Sequence, residues 1–135
     1  MRKITLSGDI GLLILRLSLG IMMLMHGISK LFGGLGWLKE MLSNMGMPSF
    51  FAYGVLIGEV LAPLMLIIGF KTRLGAAIMA FNMIVAVAMA HSGDIFTLNA
   101  TGGWSIELPA LYFFGALTLV FTGSGKYSVD RISPF

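Results

Sequence analysis

Apolar and polar positions divide the chain into four long apolar runs separated by short polar or glycine-rich breaks. A helix rises about 1.5 Å per residue, so crossing ~30 Å of hydrocarbon takes about 20 apolar residues. The runs at roughly 10–32, 50–70, 74–91 and 104–122 meet that requirement and predict four spanning helices. Gly33-Gly34-Leu35-Gly36 ends the first, because glycine terminates helices well and propagates them poorly. Residues 37–45 (WLKEMLSNM) form a short amphipathic piece expected to lie on the membrane surface. Gly46-Met47-Pro48-Ser49 launches the second run, which holds Gly54-x-x-x-Gly58 and Pro63. The glycine spacing permits close helix approach, and Pro63 removes the donor that would serve the Glu59 carbonyl one turn earlier. Lys71-Thr72-Arg73 is a tight turn, 92–103 a polar loop and 126–135 a short tail. The pattern predicts an all-α fold, a transmembrane four-helix bundle, as a single domain over residues 1–135.

Composition narrows the class further. Mean hydropathy is +0.93 and only 11% of the 135 residues are charged, more apolar surface than a soluble domain of this size can hide. The net charge of +3 comes from basic residues scattered at the ends of the runs, which reads as topology signal and predicts no nucleic-acid partner. Arg2, Lys3, Lys71, Arg73, Lys126 and Arg131 collect on one side, which places both termini in the cytoplasm. Met1-Arg2-Lys3 before an apolar run resembles a signal peptide, but the run is too long and no small-x-small cleavage site follows, so a retained first span is expected. There is no cysteine, which excludes a disulfide, a thiol relay and a thiolate metal site within this chain.

The polar residues inside the runs are the candidates for chemistry, since ionisable groups at membrane depth are costly and face a bundle interior or a wet cavity. At 100° per residue, Arg16, Gly20, Met23, Gly27 and Lys30 share one stripe of the first run, expected to face the bundle. Glu59 and Asn82 lie near the middle of the second and third runs, and Glu107 opens the fourth. Depth suggests two pairs, Arg16 with Glu59 and Lys30 with Glu107, either as locks of the bundle or as the lining of a cavity. His26 and His91 lie near the outer end, where with Glu107 they either relay protons, hold a quinone carbonyl, or are plain interfacial residues. Two separated histidines do not make a metal site, and Met22, Met23 and Met25 read as packing rather than copper ligands. Trp104 and Tyr112 are interface anchors or walls for a flat ring, with Met23, Leu111 and Phe114 as further apolar wall. The expected pocket opens outward, touches Lys30 and Glu107, and reaches Glu59.

Several pieces together resemble the DoxX family of small bacterial membrane proteins. They are Leu15-Arg16-Leu17 with Gly20, Gly27 to Gly33, Gly58-Glu59, Gly69 to Arg73, Glu107-Leu108 before Tyr112, and Thr122 to Arg131. The resemblance implies a four-helix protein of the bacterial inner membrane. It also implies a link to thiosulfate:quinone oxidoreduction or to membrane-associated oxidative-stress complexes. The resulting expectation is an accessory redox subunit that binds a quinone or similar lipophilic molecule through Arg16, His26, Lys30, Glu59, Asn82, His91 and Glu107. It has no intrinsic cofactor and takes electrons from a partner protein. The alternative is a non-enzymatic assembly or scaffold protein, or a small carrier of a weak acid. Enzymatic turnover and self-association stay open.

Overall fold

The computed structural model describes residues 5–90 and 92–131. Its longer helices are α1 Thr5–Gly33, α2 Gly36–Asn44, α3 Phe51–Ile68, α4 Thr72–Ala90 and α5 Glu107–Thr122, with short 3₁₀ turns at Ser92–Asp94 and Val129–Arg131. Helices α1, α3 and α4 are long and apolar enough to cross a membrane, and α5 is a shorter apolar helix. Its 16 residues extend about 24 Å, short of the ~30 Å of hydrocarbon. The expected fourth run begins at Trp104, but helix starts only at Glu107, because Trp104 pairs with Leu98 across an isolated bridge in the preceding loop. The bundle is an all-α membrane fold with α2 lying against the start of α3.

Helix α1 buries the stripe read from its sequence. Arg16 is 1% exposed, Met23 2%, and Gly20 and Gly27 are buried. The two glycines let α1 meet α3 backbone to backbone. A Cβ on Gly20 would lie 2.9 Å from the Pro63 carbonyl oxygen, and one on Gly27 would overlap the Glu59 carbonyl. These contacts fix the antiparallel register of α1 on α3. The main core then forms from Leu19, Met23, Leu66, Met79, Tyr112 and Leu119 with small alanines between them. Leu38 and Leu42 of α2 and Ala52 of α3 form a second cluster.

Helix α3 changes geometry where Pro63 disturbs it. Residues Ile57–Leu61 form one π turn, in which the Ala62 amide donates to the Ile57 carbonyl five residues back. A single π turn widens the helix and is common at functional sites. Here it carries Glu59, which the sequence places one turn before Pro63.

At the other end of α3, Arg16 acts as a fastener. Its Nε donates to the Leu66 carbonyl at 2.9 Å and Nη2 to that of Ile67 at 3.3 Å. Its Nη1 donates to the carbonyls of Ser124 at 3.0 Å and Tyr127 at 2.8 Å. The last carbonyls of a helix lack partners within it and attract a cation. Arg16 satisfies two of them on α3 and ties the tail to the same point. Asp130 completes the knot, accepting from the amides of Lys71 at 2.7 Å and Thr72 at 2.9 Å at the start of α4. Asp9 accepts from the Lys126 amide at 3.2 Å, so the beginning of α1 and the tail lie at one end of the bundle.

Candidate functional site

The expected pairing of Arg16 with Glu59 does not form, and the register explains why. Glu59 is level with Gly27, and the eleven residues from Arg16 to Gly27 put the two charges about 16 Å apart along α1. Lys30 takes the place of Arg16. Its Nζ donates to Glu59 Oε1 at 2.6 Å and Oε2 at 2.7 Å, a salt bridge. Side chains on a helix lean toward its N-terminus, so the long Lys30 stem points down toward the level of Gly27 and Glu59. The Glu59 side chain is 5% exposed and that of Lys30 22%. Asn82 of α4 adds a long hydrogen bond, Nδ2 to Glu59 Oε2 at 3.4 Å. Gly58 makes room for it, since a Cβ there would lie 2.7 Å from Asn82 Cγ.

The expected pairing of Lys30 with Glu107 is likewise replaced. Glu107 is exposed and turns back onto its own loop, where Asn99 Nδ2 donates to its Oε1 at 3.4 Å. Asn99 Oδ1 in turn accepts from the Thr101 and Gly103 amides, which fixes the loop at the head of α5. A carboxylate in a helix's first turn also gains from the helix dipole, so Glu107 is placed without a lysine. Of the other expected site residues, Arg16 lies at the opposite end of the bundle, and His91 falls outside the described residues.

The Lys30–Glu59 pair lies between two cavities. One, of about 220 Å³, is lined on its polar side by His26, Lys30, Glu59 and Tyr112 and on its apolar side by Met23 and Met83. The other, of about 160 Å³, lies toward α2, with Trp37, Leu38 and Asn82 in its wall. His26 meets the edge of the Tyr112 ring with 6.3 Å between centroids. Trp37 stands 6.0 Å from Lys30 Nζ, measured to its ring centroid, within cation–π range.

The structure thus gathers His26, Lys30, Glu59 and Asn82 around one place and leaves Arg16 and Glu107 out of it. Tyr112 joins them, although the sequence marks it only as an anchor or wall. Its position five residues after Glu107 gives no hint of which neighbour it faces. The chemistry available is specific. Lys30 has three N–H donors, and its two bonds to Glu59 leave one. His26 and Tyr112, each with a polar group on its ring, line the same cavity. Because lysine and glutamate offset each other, the cavity suits a neutral polar ligand better than a free ion.

The DoxX family model matches residues 11–92. Similar proteins include "Putative oxidoreductase CatD" of Bacillus subtilis, 30% identical over 92% of this chain and 87% of that protein. "Inner membrane protein YqjF" of Escherichia coli is 29% identical over 92% of each. A Haemophilus influenzae protein without an assigned role is 31% identical over 87% of this chain and 86% of its own. No solved structure matches the chain. With more than half of its length inside the family model and a 30% identical relative along nearly all of it, the chain belongs to the DoxX family.

Proposed function

We propose that the protein binds the head group of a quinone, or of a similar neutral lipophilic ring, in the cavity between His26, Lys30, Glu59 and Tyr112. It serves as an accessory redox subunit of the bacterial inner membrane. The observation that carries this reading is a charge-balanced pair, with Glu59 buried and a spare donor on Lys30, on a cavity that also holds His26, Tyr112 and an apolar wall. A pocket that is mostly apolar with a few convergent polar groups is the usual form of a small-molecule site. A ring carbonyl accepts from Lys30 or His26, while Met23 and Met83 pack on the ring faces. The similarity to the protein named "Putative oxidoreductase CatD", and to one named for the inner membrane, points the same way. Electrons come from a partner protein, since the chain has no cysteine and no recognisable cofactor motif. The shared end of the bundle that holds Asp9, Lys71 and Lys126 faces the cytoplasm in this reading, which the basic residues there support.

Gentle purification followed by mass spectrometry of bound lipophilic molecules tests the reading. A quinone that co-purifies, shows a redox difference spectrum and is lost in Glu59→Gln supports it. A preparation that holds only bilayer lipid, together with a stable protein partner, favours the assembly role instead.

A further inference from the structure

A further cavity adjoins the polar one beside His26 and Tyr112. It is about 360 Å³ and nearly wholly apolar, and it runs between α4 and α5 past Ile84, Val87, Ala110 and Phe113. Ile95 and Trp104 roof it, held together by the bond from Trp104 Nε1 to the Ile95 carbonyl at 2.6 Å. That bond uses the indole donor, so Trp104 turns only its apolar ring to the groove. Met83 and Pro109 line both this groove and the polar cavity, so the two meet at those residues. The polar cavity alone, at about 220 Å³, falls below the ~300–1,000 Å³ of a typical ligand site, and the two together fall within it. The smaller cavity beyond Lys30 is bordered by Asn82 and the edge of α2, a poorer path for hydrocarbon.

We propose that the groove between α4 and α5 is the seat of an isoprenoid tail. The ligand is then a tailed quinone, with its ring beside Lys30 and Glu59 and the first units of its tail passing Met83 and Pro109 toward Trp104. This rests on the head-group reading above and adds the class of ligand to it. A tail leaving bilayer lipid for the groove gains little from the hydrophobic effect, because both surroundings are apolar. Its advantage comes from packing and from attachment to a ring already bound.

The two tryptophans sit at the two ends of this path, which gives separate reporters. Trp37→Phe leaves Trp104 at the groove, and Trp104→Phe leaves Trp37 near Lys30. The experiment titrates two compounds into protein in lipid nanodiscs, with ligand expressed as its mole fraction in the bilayer. One is a tail-free naphthoquinone and the other is the same ring with two isoprene units. Quenching of the remaining tryptophan reports binding. The tailed compound should bind about tenfold more tightly, roughly 1.4 kcal/mol. Ala88→Phe and Ala110→Phe, which fill the groove from opposite walls, should each abolish that advantage and leave the tail-free affinity unchanged. Ala88 is exposed, so its variant tolerates the larger ring, and Ala110 gives an independent check. Equal affinities for the two compounds, as when a bilayer acyl chain fills the groove, overturn the tail site and leave the head site standing. An advantage that survives both substitutions also overturns it. Failure of both compounds to quench at saturating mole fraction overturns the head-group reading and the tail site with it.

Discussion

Removing one partner from the Lys30–Glu59 pair should be costly, and the two ways of doing so should not cost the same. Lys30→Met leaves a carboxylate whose side chain is 5% exposed, with only the 3.4 Å bond from Asn82. Breaking a buried pair in this way costs roughly 3–5 kcal/mol. Glu59→Gln instead leaves Lys30, which is 22% exposed and has a flexible stem. Such a side chain can carry its ammonium back toward the polar interface, past Trp37, and recover hydration. Glutamine also keeps an acceptor for Asn82. The expected cost of Glu59→Gln is therefore about 1.5–3 kcal/mol, the net value of one hydrogen bond to a charged group. The double variant removes both charges and should cost less than the two single changes added, with a coupling of about 1–3 kcal/mol. Reversible unfolding in mixed micelles, or steric trapping in bicelles, measures all four species. Additivity within about 0.5 kcal/mol would show that the two side chains do not depend on each other. A Glu59→Gln variant less stable than Lys30→Met would refute the argument that the lysine can escape.

Five other outcomes are expected. Gly27→Ala, whose Cβ would overlap the Glu59 carbonyl, should lower stability by about 1–3 kcal/mol or more. Gly54→Ala should be near neutral in the same melting assay, since nothing lies within 4 Å of its Cβ. Arg16→Lys should destabilise by about 2–4 kcal/mol despite keeping the charge, because an ammonium cannot reach four carbonyls fixed around a planar fork. Asp130→Asn should cost about 1 kcal/mol by weakening the carboxylate that caps α4, measured by the same unfolding titration. A reporter fused after Phe135 should be active in its cytoplasmic form only, and activity of a periplasmic reporter there would reverse the orientation.

Much of the fold is legible in the residue pattern, because hydrophobic length and helical period are local properties. The stripe Arg16, Gly20, Met23, Gly27 and Lys30 turns inward on α1, and α2 occupies the amphipathic stretch before α3. The partners of the charges are not local. They depend on how far α1 slides along α3, and Gly20 and Gly27 set that position through contacts with Pro63 and Glu59. A reading by depth alone is off by some three turns for Arg16, enough to exchange it for Lys30. Glu107 illustrates a different limit. Its first-turn position is visible in the sequence, but the Asn99 loop that folds back on it is not. The resemblance carried by Gly69 to Arg73 and Thr122 to Arg131 marks the Arg16 and Asp130 knot, so those pieces record how the bundle is closed rather than where it binds. The candidate site is carried by Gly27 to Lys30 and Gly58-Glu59 instead.

Photoaffinity labelling tests the central claim most directly. An azidoquinone is irradiated with the protein in nanodiscs, and the adducts are mapped by peptide mass spectrometry. The account predicts label on the walls of the cavity, at Met23, His26 and Lys30 of α1 and Leu108, Pro109 and Tyr112 of α5. Excess unlabelled quinone should suppress it. His26→Ala, at an exposed position whose change should spare the fold, should reduce it severalfold. Label spread over the lipid-facing residues, undiminished by competitor and indifferent to His26, would contradict the account.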